Sequence, residues 1–289
     1  MKQIALLTLL LILIIPINSC NQEEKKSDMN IIYLHHSTGG VIWQGARASL
    51  FTRAVRKVSQ DLAEIVTAKA KLPALFDKYN EENNRNYLIT EMVFPKQMPY
   101  GWKNYPYDYY NIWVKNAGNE PFMEEPTLEM LTKHNQVIIF KHCFPVSNIN
   151  PDQDSSDINS EYKSLGNYKL QYNAIRDKLH EFPNTKFIVW TGAALVRSAV
   201  EEGAAARAQE FFSWVRDEWD QPDDNIYLWD FYSLQTEGGL YFKDEYASSP
   251  NDSHPGSEFA GRAAELLFNR IIDVIENNGT GTDLTGSNI

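Results

Sequence analysis

Two short stretches of the chain carry side chains that could do chemistry together. One is residues 34–40, LHHSTGG, where Ser37 follows two histidines and precedes two glycines. The other is residues 250–257, PNDSHPGS, where Asp252 and His254 stand two apart before Pro255. In an extended segment, residues two apart project to the same side. Pro255 favours an extended conformation at His254 and suits the first turn of a following helix. Asp252 could then orient the imidazole and leave Nε2 to take a proton from Ser37, the pattern of a serine nucleophile in acyl transfer. Ser37 and His254 lie more than two hundred residues apart, so the fold has to bring them together.

The apolar pattern says how it would do so. Strand-like runs rich in aliphatic and β-branched residues occur at 30–36, 86–94, 135–143, 185–192 and 224–232. The three central runs are short and nearly continuous in apolar character, as in strands buried on both faces of a parallel sheet. Helical patterns fill 160–181, 200–219 and 257–277, the last with Phe259, Ala263, Leu266, Leu267, Ile271, Val274 and Ile275 on one stripe. The expected fold is therefore α/β: a three-layer α/β/α sandwich around a parallel sheet of about five strands, doubly wound and flavodoxin-like. In such folds ligands bind beyond the carboxyl ends of the strands, and Ser37 follows the first strand at that end. Glycines after it let backbone N–H groups approach a ligand. A helix starting there would direct its positive end at a developing oxyanion.

Two segments exceed what a minimal five-strand design needs. Residues 41–85 are longer than one crossover helix requires. Residues 95–126 are rich in Pro, Tyr, Trp and Asn with little periodicity, which leaves two readings open, a lid or a packed aromatic excursion.

The chain ends carry their own signals. Lys2 and the apolar run 4–17 suit an export signal. The following INSC, residues 17–20, resembles the bacterial lipoprotein box, although Asn18 replaces the usual small residue. That resemblance implies a lipid-modified Cys20 after a signal peptide 1–19, and anchoring in the cell envelope, at the periplasmic face or cell surface of an outer membrane. Residues 20–29 read as a charged tether, 30–278 as the folded domain, and 279–289 as a polar, disordered tail. Cys143 is then the one cysteine of the mature body, so no intramolecular disulfide can form. A net charge of −11 argues against nucleic acid as a partner. The 7 Trp, 15 Tyr and 14 Phe are ample for a core and compatible with sugar stacking.

A serine directly after the first strand, with Asp-x-His-Pro before the last helix, resembles the SGNH (GDSL-like) hydrolases. NDSHPG matches their last block, and HHSTGG is a variant of their first, usually Gly-Asp-Ser. The likeness covers these two blocks by motif and most of the chain by topology. There is no Gly-x-Ser-x-Gly elbow, so a standard α/β-hydrolase is disfavoured. The resemblance implies catalytic Ser37, Asp252 and His254, no cofactor and no metal. It also implies an oxyanion hole made of the Ser37 N–H, a glycine N–H and an asparagine side chain. The usual Gly-x-Asn-Asp is missing from the matching segment KHCFPVSN. There Lys141, His142, Cys143 and Asn148 are the available substitutes, His142 first because it can donate, with Gly118 for the glycine. His36 and Gly39 are the expected substrate contacts. The activity expected is a serine esterase acting on an acyl ester, acetyl among the possibilities, of a carbohydrate or another small ester. Two alternatives stand beside it: a metal-dependent hydrolase using His35, His36, Asp252 and His254, and a non-catalytic glycan-binding lipoprotein.

Overall fold

The computed structural model of the chain describes residues 28–46, 69–96, 98–101 and 103–289. The signal segment, Cys20 and most of the tether lie outside the described residues, as does much of 41–85. Five strands, β1 (Met29–His35), β2 (Tyr87–Val93), β3 (Val137–Phe140), β4 (Lys186–Trp190) and β5 (Ile226–Trp229), form one parallel sheet in the order β2-β1-β3-β4-β5. Each falls almost entirely within its expected apolar run, and β1 begins one residue inside the expected tether. The molecule is thus an α/β sandwich of the flavodoxin-like kind.

Burial explains why these runs are strands. Every residue of β3 is buried, as is Phe187–Trp190 of β4, whereas edge strand β2 alternates between buried Tyr87 and Ile89 and exposed Leu88 and Thr90. Parallel sheets need helices on both faces. On one side α1 (Thr38–Gln44), α2 (Lys71–Asn83) and α5 (Ser257–Asn277) pack on one another. On the other, α3 (Leu165–His180) packs against α4 (Glu202–Trp214). Large aromatics fill the layers: the Tyr33 ring stacks on Trp190 at 5.4 Å, and Trp190 meets Trp229 edge-on at 4.3 Å. Among the described residues no helix is long and apolar enough to cross a membrane.

The long segment 95–126 resolves in favour of packing. Tyr105, Tyr109, Ile112 and Trp113 are buried, and Trp113 stacks on Phe94 while meeting Phe140 edge-on. Pro106–Tyr109 and Tyr110–Lys115 form short helical turns that carry these rings inward.

The tail corrects an expectation. Residues 279–289 are ordered and fold back on the sheet. The Leu284 carbonyl accepts from Asp230 N–H at 2.7 Å, and the Thr285 carbonyl from the Trp229 indole at 2.8 Å. The cause lies in α5, whose buried face includes Arg270 and Asp273, both 4% exposed and paired at 3.2 Å. A buried ion pair is tolerable only when its remaining donors and acceptors are satisfied, and the tail supplies them. Gly279 and Thr282 accept from Arg270, while the Gly281 and Thr282 N–H groups donate to Asp273. Polar composition here marks partners for a buried charge pair. Truncation after Asn278 should lower stability by about 3 kcal/mol, several buried hydrogen bonds at roughly 1 kcal/mol each. Urea unfolding of the truncated and full chains checks this.

Candidate functional site

Ser37 sits where β1 gives way to α1, with only His36 between strand and turn. Its backbone has φ 44° and ψ −102°, a region that L-residues seldom occupy. The turn lifts the side chain out of the core, and Ser37 is exposed while both neighbours are buried. Gly39 makes the tight turn possible. A Cβ there would lie 2.4 Å from the Cβ of His35 and 2.6 Å from the Tyr33 hydroxyl. Gly39 N–H donates to the His36 carbonyl at 2.8 Å, closing the turn.

Asp252 and His254 come from a small antiparallel hairpin, β6 (Ala247–Ser249) and β7 (Asp252–Pro255). As the spacing requires, both side chains leave β7 on one side. The carboxylate can only accept, so His254 Nδ1–H donates to Asp252 Oδ1, at 2.6 Å. The His254 backbone N–H donates to the same oxygen at 3.0 Å. Nε2 is then the acceptor, and the Ser37 hydroxyl donates to it at 2.5 Å. Burial opposes the Asp252 charge, but the His254 ring and backbone donors and Ser248 outweigh it and hold the carboxyl well below its usual range. Phe144, in the turn after β3, meets the His254 ring edge-on at 5.2 Å. The hairpin is braced from the β4 side: Val196 N–H donates to Ser253 Oγ at 3.0 Å, and Ser198 Oγ to the Pro250 carbonyl at 2.7 Å. Pro255 precedes Gly256, the N-cap, so α5 opens two residues later than the proline.

Hence Ser37, His254 and Asp252 meet in one hydrogen-bonded chain beyond the carboxyl ends of the strands. The arrangement can pass a proton from the hydroxyl to an imidazole whose positive charge a carboxylate then compensates.

The other expected contacts fall elsewhere. His142 is fully buried, edge-on to Tyr109 at 4.5 Å, and among the described residues neither ring nitrogen has a hydrogen-bond partner. Burial keeps it neutral, its pKa far below the ordinary histidine value, and it is a core residue, not an oxyanion donor. Gly118 spends its N–H on Glu129 at 3.1 Å, in the segment leading into the amino end of β3. It is therefore at the wrong edge of the sheet. Asn148 is exposed, one residue past the Phe144 turn. Of the three expected donors, the Ser37 N–H alone stands at the site, and among the described residues it has no acceptor.

His36 and Gly39 likewise shape the turn and do not face a ligand. The His36 Nε2 donates to the Pro95 carbonyl, and the ring is 8% exposed. His35 turns the opposite way, its Nε2 2.8 Å from Glu91 Oε2. The two rings are thus committed to Pro95 and Glu91 and do not join Asp252 and His254 in a ligand set. No group of three or more His, Cys, Asp or Glu residues among the described residues could hold a metal ion. Phe144 and Ser253 were beyond sequence reading, since neither is a chemistry-bearing position of the segments that contain them. Only their nearness to β3 and to the Asp-x-His pair could have drawn notice.

Compared with protein-family models, curated proteins and solved structures, the chain matches none.

Two stability predictions follow from the turn. At φ 44° a serine or alanine is strained by about 1–2 kcal/mol, which glycine avoids at some entropic cost. Ser37→Gly should therefore be more stable than Ser37→Ala by about 1 kcal/mol, readable in chemical denaturation. Burial, with the nearby Lys141 charge adding to it, lowers the His36 pKa from 6.5 to about 4 despite the Pro95 bond. The folded state then binds fewer protons than the unfolded state between those values. The stability due to neutral His36 is complete above about pH 6.5 and is lost as pH falls towards 4. His36→Gln keeps a donor for Pro95 and should flatten the stability–pH curve in that window by on the order of 2–3 kcal/mol.

Proposed function

We propose that the chain is a serine esterase of SGNH type that removes a small acyl group, acetyl in the first instance, from a carbohydrate. The observation that carries this reading is the Ser37–His254–Asp252 chain, with links of 2.5 and 2.6 Å. In this reading Ser37 Oγ attacks the ester carbonyl as His254 Nε2 takes its proton. The imidazolium, compensated by Asp252, returns that proton to the departing sugar oxygen. Water, deprotonated by the same nitrogen, then hydrolyses the acyl-enzyme and releases the carboxylic acid. In this reading the Ser37 N–H is an oxyanion donor, as the amide of the nucleophile itself. The strain at Ser37 accords with this, since strained backbone clusters at functional sites.

The carbohydrate part rests on a polar cleft of about 500 Å³ lined by Asn148, Arg197, Ser198, Glu201, Glu202 and Tyr241. Its walls are the segments that brace the site: Asn148 follows the Phe144 turn, and Ser198 holds the residue two before Asp252. Interspersed amide, guanidinium, hydroxyl and carboxylate groups suit a polyhydroxylated ligand, which both donates and accepts hydrogen bonds. Lipidation at Cys20 would place the activity at the cell envelope, tethered near glycans.

The test is turnover of p-nitrophenyl acetate and acetylated glycans by the purified protein, with and without a chelator. Ser37→Ala and His254→Ala should each lose about 10³-fold or more in kcat, and Asp252→Asn somewhat less. Activity that survives in Ser37→Ala would sink the reading. Glycan binding without turnover would point to the non-catalytic alternative.

A further inference from the structure

Lys141 is a costly residue to keep in the core. It follows β3 directly and is 0% exposed, yet no carboxylate lies within ion-pair distance among the described residues. Among the described residues, the one hydrogen bond of its ammonium runs to the His36 carbonyl, at 3.4 Å. The Lys141 carbonyl accepts from Tyr109 at 2.7 Å, which fixes the residue from its backbone. An ammonium without a counter-ion in such a place is destabilising, because nothing replaces the water it has lost. A methionine or leucine would fill the same space without that cost. The Lys141 charge is felt by His35, His36 and His142, and burial lowers its own pKa from the ordinary lysine value. Packing gives no account of a lysine here.

What it touches does. The His36 carbonyl belongs to the peptide whose nitrogen is that of Ser37. The same oxygen accepts from Gly39 N–H at 2.8 Å, the bond that closes the turn. A cation on the oxygen of a peptide draws electron density from its nitrogen and makes the N–H a stronger donor. Of the three expected oxyanion donors, the Ser37 N–H alone stands at the site, because His142 is sunk among buried aromatics and the Gly118 N–H is spent on Glu129. Lys141 also belongs to the segment where a side-chain oxyanion donor was expected.

We propose that Lys141 is a positioning residue for the nucleophile: its ammonium holds and polarises the His36–Ser37 peptide, so that the Ser37 N–H is aimed and strengthened as the oxyanion donor. In a water-excluded interior a fixed positive charge also favours negative charge developing nearby. The proposal rests on the serine-esterase reading. Lys141 touches no substrate; its action passes through one peptide group.

The test separates the two ideas by measuring covalent labelling of Ser37 with a fluorophosphonate, alongside kcat and KM for p-nitrophenyl acetate and thermal melting. Wild type should label at Ser37 and Ser37→Ala should not. Lys141→Met should label about 10–100-fold more slowly and lose kcat in the same proportion, with KM changed less than about twofold. Lys141→Arg, which keeps the charge, should recover part of that loss, and Lys141→Gln, which keeps only a neutral donor, less of it. Labelling and kcat of Lys141→Met at the wild-type level would overturn the role of Lys141 while leaving Ser37 as nucleophile. If Lys141→Met does not fold, equal rates for Lys141→Arg and Lys141→Gln overturn it. Wild type that does not label at all removes the serine reading, and this proposal with it.

Discussion

Between the last residue of β1 and the first of α1 the chain has two residues in which to leave a buried sheet and enter a helix. That constraint fixes the backbone at Ser37 in a conformation an L-residue holds only under restraint, and the surrounding structure supplies the restraint from several sides. Gly39 lets α1 lie against His35 and Tyr33 without a Cβ in the way. The His36 carbonyl is held by Gly39 N–H and Lys141, and the His36 ring is fastened to Pro95. The Ser37 carbonyl accepts from Val41 N–H at 3.2 Å. Strain persists where neighbours over-determine it, and here β1, β3 and the segment after β2 all grip the same turn.

The second half of the site depends on that turn staying still. A hydroxyl and an imidazole from opposite ends of the chain meet only if the hairpin bearing His254 is held against the same sheet edge. α1 and α5 pack on each other, so the helix that begins just after His254 rests on the helix that begins just after Ser37. Tyr246, next to the hairpin, stacks on Phe259 of α5 at 4.8 Å. From the far side, the loop after β4 ties down Ser253 and Pro250. Each anchor sits in a rigid element or beside one. The distance from Oγ to Nε2 is thus set by helix packing as well as by local sequence.

The sheet was legible because burial on both faces imposes long apolar runs, and 135–143 or 185–192 can hardly be anything else in a chain of this pattern. Asp252 and His254 were legible because residues two apart in an extended segment must share a side. Their link to Ser37 could be inferred only from the strand-end rule, which says where loops gather and not what they touch. The orientation of polar residues inside an apolar run was not legible. Lys141 and His142 are adjacent in sequence, yet one reaches under the Ser37 turn and the other sinks among Tyr109, Phe140 and Tyr172. The tail misled for a related reason. Its need to be ordered arises from Arg270 and Asp273 on the buried face of a helix whose apolar stripe appeared complete without them. A polar segment looks disordered until the buried charges it serves are located.

The histidines show how one residue type is divided between fold and site. His35, His36 and His142 lie at or near the carboxyl ends of β1 and β3, and burial pushes each towards the neutral form, with the Lys141 charge reinforcing this. A neutral imidazole in the interior is an aromatic wedge with a polar edge, and His35 and His142 are used so, against Tyr33 and Tyr109. His254 differs in kind. It is partly exposed, one ring nitrogen meets a carboxylate, and the other meets a hydroxyl. A carboxylate alone does not make the difference, because His35 also faces one in Glu91 while its Nδ1 has no partner among the described residues. What sets His254 apart is a path through the ring, from Ser37 Oγ to Nε2 and from Nδ1 to Asp252, open to water at one end. At the three buried rings, protonation would place positive charge in the interior beside Lys141. Of the four imidazoles gathered at this end of the sheet, His254 is the one the fold leaves partly in solvent, between a hydroxyl and a carboxylate.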